Sequence, residues 1–216
     1  MKILPESKGY GDRHYQRPDS DAKRMPDFTD RVTAVHRLAP GVGGYPYSLG
    51  AAGPTMYFRG DYRLLDRSLV GVFASVKSSG KAILAALAWA RAFSESGSAV
   101  ISGFHSPLEQ ECLTILLMRG IPVIACPARE IRSYRTAPTW AGAIEAGKML
   151  LLSRFESERR ITRASSDTRN DLVARLSASL VLLSLSEGGH IEKLARDFEA
   201  NGLTVRRLLE QDRNLK

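Results

Sequence analysis

Two short polar segments carry the residue types that could do chemistry. The first, Ser102–Glu109 with the sequence SGFHSPLE, directly follows the apolar run Ala99–Ile101. The second is Arg169-Asn170, which we predict to open a helix that leads into the apolar run Leu180–Leu183. Ligands of open α/β sheets bind outside the carboxyl ends of the strands. If both apolar runs are strands, we expect the two polar segments to form one site at that edge.

The residues of the first segment have both functional and structural interpretations. Ser102 ends the predicted strand, and Gly103 allows a close approach of the backbone to a ligand. His105 is either a ligand contact or an exposed loop histidine. Ser106 with Glu109 three residues later forms a capping box, so Glu109 is either structural or, if the protein is an enzyme, the general base.

Two further loops have the small residues that let a phosphate approach backbone N–H groups at a helix N-terminus. Ser75 and Lys77 lie between the first predicted strand and its helix, and Gly188-Gly189 lie before the last helix. The first loop is not a glycine-rich nucleotide motif, and a tight turn with a serine N-cap explains it equally well. The glycine turn suits an anion or a ribose.

Arginines follow the other predicted strands. Arg129 lies just past one strand end, where a guanidinium can fork onto a phosphate or lie solvated on the surface. Arg159, Arg160 and Arg163 form a basic loop. Arg169 is either a phosphate ligand, with Asn170 capping the helix, or a structural arginine that pairs with Glu109.

No spacing of cysteine and histidine suits a metal, so we predict neither a metal site nor a cofactor. The two cysteines, Cys112 and Cys126, fall in apolar stretches and are interpreted as buried thiols of a reducing compartment. No serine–histidine–aspartate set or reactive cysteine emerges from the spacing. The sequence therefore leaves open whether the protein is an enzyme.

Apolar runs that alternate with helical periodicity must position these loops. Continuous apolar strands between helices indicate a parallel sheet covered on both faces, and right-handed crossovers make it doubly wound. We therefore predict an α/β fold with a doubly wound, mostly parallel Rossmann-like sheet. The predicted strands span 69–74, 98–102, 121–126, 148–153, 180–185 and 203–208, and the predicted helices span 79–94, 107–118, 168–176 and 191–201.

The first 53 residues differ in composition from the rest. They are rich in glycine, proline and charged residues, which is typical of segments that cannot offset their ordering entropy by burial. We predict a largely disordered leader over 1–53 with a short helix near Asp30–His36, a Rossmann-like domain over 54–210 and a tail over 211–216.

The chain has a net charge of +8 and a pI of about 9.7. This balance favours a polyanionic partner such as nucleic acid. No apolar run approaches the length of a membrane span, and the first residues lack the apolar core of a signal peptide. We therefore predict a cytoplasmic protein without a membrane partner.

Several motifs in the same order resemble the DNA-processing protein A (DprA/Smf) family. They are the first predicted strand with Ser75, the segment Ser102–Glu109, the CPAR sequence ending at Arg129, Trp140, the LLLS strand, the RNDLVA sequence beginning at Arg169, and Gly188-Gly189. The segment Tyr57–Asp61 resembles the family's lead-in to the first strand. The resemblance covers about residues 54–208 and is greatest to short stand-alone relatives.

The resemblance implies a Rossmann-like domain that binds single-stranded DNA in DNA processing and recombination. It also implies a homodimer and a recombinase as partner. Where the family has a G-S-R sequence, this chain has Ala74-Ser75-Val76, and Lys77 is the nearest cation. Two alternatives stay open: a nucleotide-binding sensor or nucleotide-hydrolysing enzyme, and an interaction module without a ligand.

Overall fold

A computed structural model describes residues 32, 34–94, 96–186 and 188–209. The strands are β1 (His36–Leu38), β2 (Met56–Gly60), β3 (Ser68–Ala74), β4 (Ser98–Ser102), β5 (Val123–Ala125), β6 (Met149–Ser153), β7 (Ser179–Ser184) and β8 (Thr204–Arg207). The α-helices are α1 (Gly80–Ala92), α2 (Pro107–Met118), α3 (Pro138–Glu145), α4 (Arg163–Leu176) and α5 (His190–Ala200). Short 3₁₀ helices span Tyr47–Leu49 and Tyr62–Asp66.

The eight strands form one sheet in the order β1-β2-β6-β5-β4-β3-β7-β8. Pairing is parallel from β6 to β8 and antiparallel where β1 and β2 extend the sheet beyond β6. The strand order reverses between β3 and β7, which is where ligands bind in doubly wound sheets. The predicted fold class, a mostly parallel, doubly wound α/β sheet, is confirmed.

Helices cover both faces of the sheet, and alternate residues of each strand point to opposite faces. On β3, Val70 and Val72 pack in the cluster that contains α1, α2 and α3, whereas Leu69 and Phe73 pack in the cluster that contains α4 and α5. This two-sided burial explains why the strands are continuous apolar runs. Within the described part of the chain, no helix is long and apolar enough to cross a membrane.

The start of α4 corrects the sequence prediction. The helix begins at Arg163, not near Thr168, because Thr162 caps it. The Thr162 side chain accepts a hydrogen bond from the Ser165 N–H, and the Ser165 hydroxyl accepts one from the Thr162 N–H. This reciprocal capping fixes the first turn. Arg169 and Asn170 therefore lie in the middle of the helix, and Asn170 is not its cap.

The boundary of the predicted leader is also wrong for its last part. Residues His36–Leu38 form β1, which pairs with β2, and Leu38 is fully buried. The sequence did not predict β2 or α3 as elements. His36 belongs to a strand rather than to the helix predicted near Asp30–His36; residues 1–31 and 33 and the tail from 210 onward lie outside the described residues.

Truncation tests whether the folded unit begins before residue 54. A chain that starts at Pro54 loses β1 and its buried Leu38, and removal of a buried leucine alone costs about 2–5 kcal/mol. We expect the truncated chain to unfold at clearly lower urea concentration than a control chain that starts at Ala34. Equal urea midpoints for the two chains would show that β1 contributes nothing to stability.

Candidate functional site

The loops at the carboxyl ends of the parallel strands meet along one edge of the sheet. The structure divides the twelve sequence-predicted site residues among three places on this edge. A largely buried network, in which His105 is exposed, contains Ser102, Gly103, His105, Ser106, Glu109, Arg169 and Asn170. A crevice between β3 and β7 is lined by Ser75, Lys77 and Gly189, with Gly188 next to it in the chain, and Arg129 lies apart, beyond β5.

Glu109 is the centre of the buried network. It is 1% exposed, and its carboxylate accepts hydrogen bonds from the backbone N–H groups of Ala74 (2.9 Å), His105 (2.9 Å) and Ser106 (3.3 Å). The Ser106 hydroxyl in turn accepts from the Glu109 N–H at 3.2 Å, which completes the predicted capping box. One carboxylate therefore joins the end of β3 to the loop after β4.

The environment of Glu109 keeps its carboxyl group ionised. Burial acts to raise its pKa, but the hydrogen bond and charge of His105, with the N–H groups of Ala74 and His105, hold the pKa below its usual value. His105 Nδ1 lies 3.0 Å from Glu109 Oε2. Nδ1 therefore lies between a carboxylate that only accepts and the Arg169 guanidinium, whose Nη2 is 3.2 Å away and only donates. A carboxylate with its acceptor sites occupied suits loop anchoring better than general-base catalysis.

Arg169 lies beneath the same loop and is 2% exposed. Its Nε donates to Asn170 Oδ1 at 2.7 Å and its Nη1 donates to the Cys126 carbonyl at 3.3 Å, while Nη2 lies 3.2 Å from His105 Nδ1. Burial lowers the pKa of this guanidinium, and the charge of Glu109 opposes that shift. These contacts favour a structural Arg169 over one that forks onto a ligand. The hydrogen bonds go to Asn170 and the Cys126 carbonyl rather than to Glu109, the partner that the sequence suggested.

Gly103 is the residue that lets the loop lie against Arg169. A Cβ atom at position 103 would be 1.6 Å from Arg169 Nη1 and 2.3 Å from Cζ. The next residue, Phe104, has a φ of 46°, which is unusual for a residue with a side chain. Ser102 is fully buried, and its hydroxyl accepts from the Phe104 N–H at 3.3 Å. The close approach predicted for Gly103 is therefore made to a side chain of the protein.

The crevice lies at the point where the strand order reverses. It has a volume of about 390 Å³ and is lined by Ser75, Val76, Lys77, Ser186, Gly189, His190 and Ile191. The Ser75 N–H donates to the Ser184 carbonyl at 3.1 Å, and the Ser78 and Ser184 hydroxyls lie 2.7 Å apart. Helix α5 begins at the crevice, and α1 begins three positions after Lys77. Gly189 caps α5 without a side-chain hydrogen bond, and Lys77 is exposed.

The loop after β5 holds aromatic residues that the sequence did not single out as a site. Tyr134 stacks on Trp140 with ring centroids 6.1 Å apart and planes inclined by 17°. Arg129 Cζ lies 5.9 Å from the Tyr134 ring centroid, and the Arg129 carbonyl accepts from the Ser153 hydroxyl at 2.8 Å. Among the sequence motifs, Trp140 is marked only by the family resemblance. Five residues separate it from Tyr134, so the rings come together only when the loop folds.

Exposed cations continue past the aromatic pair. Arg132 and Arg135 lie in the loop after β5, and Arg159, Arg160 and Arg163 lie in or just after the loop that follows β6. The Glu130 N–H donates to the Glu158 carbonyl at 2.8 Å and joins these two loops. Among the described residues, no three His, Cys, Asp or Glu side chains group as metal ligands do.

Comparisons with known proteins identify a family. The model of the family described as DNA recombination-mediator protein A matches residues 42–193. Two solved structures are similar in fold, whereas no curated protein sequence matches the chain.

The first is DNA processing protein A from Helicobacter pylori, described with a unique single-stranded DNA binding mode; it is 19% identical, with 68% of each chain covered and a TM-score of 0.54. The second is DNA processing protein A from Streptococcus pneumoniae, 17% identical, with 83% of this chain and 64% of that chain covered and a TM-score of 0.67. At these identities the two structures establish the fold.

Proposed function

The chain belongs to the DNA recombination-mediator protein A family, and from that premise we propose that it binds single-stranded DNA along the carboxyl edge of its sheet. The observation that carries the proposal is the order of the cationic loops. The loops after β6, β5, β4 and β3 lie side by side in the sheet, and each contributes cations or a histidine. A continuous cationic track follows a flexible polyanionic backbone.

Cations outnumber acids in these loops, and the acids are partly engaged within the protein. Both Glu130 carboxylate oxygens accept from Ser133, from its hydroxyl and from its N–H. Hydrogen bonding by Ser133 holds the pKa of Glu130 below its usual value. The loops after β3, β4, β5 and β6 contain Lys77, Arg129, Arg132, Arg135, Arg154, Arg159 and Arg160 against Glu130, Glu156 and Glu158.

The crevice between β3 and β7 is the proposed place for a phosphate on this track. The N-terminus of α5 lines the crevice and brings the partial positive charge of a helix start there, and Lys77 supplies an exposed cation. Ser75, Gly188 and Gly189 stay predictions as phosphate contacts. Their N–H groups donate to the Ser184 carbonyl, the Glu192 carboxylate and the Ser186 carbonyl, so a phosphate would have to displace these bonds. Arg169 is excluded from this contact because its guanidinium is buried and hydrogen-bonded.

Family membership also motivates three broader proposals. We propose that the protein acts in DNA processing in the cytoplasm, that it forms a homodimer and that a recombinase is its protein partner. Sedimentation with and without single-stranded DNA tests the dimer, and co-sedimentation with a purified recombinase tests the partner. Binding of single-stranded DNA can be measured independently of the dimer and of the recombinase.

The salt dependence of binding tests the cationic track. We expect affinity for single-stranded DNA to fall steeply as salt rises, with a log–log slope of about −0.7 for each phosphate contacted. The double variant Arg159→Gln/Arg160→Gln should lower affinity and make the slope shallower by about 1.4. Fluorescence anisotropy with a labelled oligonucleotide at several salt concentrations measures both quantities.

A matched control removes the same charge from the opposite edge of the sheet. Arg67 and Lys148 are exposed and precede β3 and β6. Arg67→Gln/Lys148→Gln should leave the slope unchanged. Equal effects of the two double variants would show that net charge, rather than the carboxyl edge, governs binding.

A nucleotide-binding or nucleotide-hydrolysing function is the second candidate. The crevice volume, about 390 Å³, falls in the range of small-ligand pockets. A mononucleotide that raises the melting temperature and competes with DNA would place a nucleotide in the crevice. A mononucleotide that raises the melting temperature of a protein that does not bind DNA would favour the nucleotide-binding function over the DNA-binding function.

A further inference from the structure

The aromatic pair Tyr134–Trp140 lies at the cationic edge, where both rings pack against the core but are only partly buried. Tyr134 lies in the loop after β5, Trp140 lies in the first turn of α3, and both are half-buried. Their rings are held nearly parallel, with planes inclined by 17°. A stacked pair fixed by the start of a helix and left partly open offers a flat, preorganised apolar surface at a polar rim.

Arg129, beside this pair, has a guanidinium nitrogen that makes no hydrogen bond within the protein. Its Nε is buried without a hydrogen-bond partner, while its guanidinium carbon lies 5.9 Å from the Tyr134 ring centroid. A buried donor without an acceptor is unfavourable. A guanidinium that rests on an aromatic ring matches a phosphate oxygen in charge and geometry.

Two further cations border the pair. Arg132 and Arg135 are exposed on the same loop. The nearest acid in sequence, Glu130, has both carboxylate oxygens bonded to Ser133. Exposed cations therefore border the aromatic surface. Proteins that bind single-stranded nucleic acids combine a stacking surface with positive charge in this way.

We propose that Tyr134 and Trp140 form a stacking platform for one base of single-stranded DNA, with Arg129 binding an adjacent phosphate. The inference rests on the proposed function and adds a base-contacting subsite to it. The loop after β5 and the β3–β7 crevice lie on the same edge of the sheet, with β4 and β3 between them. One strand of DNA can occupy both.

The experiment compares normal and abasic DNA of the same length, because the two carry the same backbone charge. The chain contains tryptophan only at positions 89 and 140, so Trp89→Phe leaves Trp140 as the only indole fluorophore. In this background, oligothymidylate should quench Trp140 fluorescence and bind about ten-fold or more tightly than the abasic oligonucleotide. The abasic oligonucleotide should cause little quenching.

Substitution of Trp140 separates stacking from charge. Trp140→Leu should lower the affinity for oligothymidylate to that of the abasic oligonucleotide and leave abasic binding unchanged. Trp140→Tyr keeps an aromatic ring and should retain most of the preference for bases. Thermal melting of each variant, together with its abasic affinity, shows whether the edge remains folded.

Several outcomes overturn the platform. Equal affinity of the Trp89→Phe protein for normal and abasic DNA would overturn it while leaving DNA binding intact. Equal losses on the two oligonucleotides in a folded Trp140→Leu variant would do the same. Failure of every variant to bind either oligonucleotide at low salt would overturn the proposed function, and the platform with it.

Discussion

Replacing Arg169 with alanine should lower the free energy of unfolding by about 3–5 kcal/mol in the absence of any ligand, because the change removes one member of a buried charged network. Arg169 is 2% exposed and bonds to Asn170 Oδ1 and the Cys126 carbonyl. Its loss leaves the Glu109 carboxylate buried without this nearby positive charge. Urea unfolding measures the change. A loss below about 1 kcal/mol, the range of surface substitutions, would contradict the structural role.

The double-mutant cycle with Glu109 tests whether the two residues act as a unit. Glu109→Ala leaves the N–H groups of Ala74, His105 and Ser106 without their acceptor, so it should cost about as much as Arg169→Ala. The double variant should lose less than the sum of the two single losses, by about 0.5–3 kcal/mol. Strict additivity would show that the two side chains are anchored independently.

The same network gives stability a defined dependence on acid pH. The folded state holds the Glu109 pKa below its ordinary value of 4.5. The stability contributed by the ionised carboxylate is therefore complete above that value and is lost as pH falls through the folded pKa. Below about pH 4.5, Glu109→Gln should lose stability less steeply than the unsubstituted protein.

Gly103→Ala should also be strongly destabilising, although it adds a single methyl group. The new Cβ would lie 1.6 Å from Arg169 Nη1, so the guanidinium has to leave its place or the loop has to rise. Displacement of Arg169 forfeits its bonds to the Cys126 carbonyl and to Asn170. We expect a loss of about 3 kcal/mol, the scale of severe overpacking, measured by urea unfolding.

Gly80→Ala is the matched control for this substitution. Gly80 is the first residue of α1, and a Cβ there would meet no atom within 4 Å. Alanine at position 80 should leave stability unchanged or raise it slightly, because alanine restricts the unfolded chain. A Gly103→Ala protein as stable as this control would show that Arg169 has room to move aside.

Local patterns were sufficient for most of the framework. The apolar runs of β3, β4, β6 and β7 and the capping box at Ser106 follow from periodicity and short-range hydrogen bonding, and the structure has them where the sequence predicted them. Such signals depend on neighbours within a few residues in the chain. For the same reason, the carboxyl-edge position of the candidate loops was predictable once the strands were known to be parallel.

Non-local contacts decided the remainder. β1 and β2 are strands because each pairs with a partner distant in sequence. The early start of α4 depends on a threonine–serine box weaker than the usual Ser/Thr–Glu signal.

The role of Arg169 was beyond sequence reasoning because burial and partners are properties of the packed fold. The guanidinium finds its acceptors on β5's end and on Asn170, and Gly103 leaves the space that it fills. The sequence alone thus determined the α/β framework and the loops that line its carboxyl edge. Only the tertiary structure decided which of those loop residues hold the edge together and which face solvent, because that choice depends on residues far apart in the chain meeting in space.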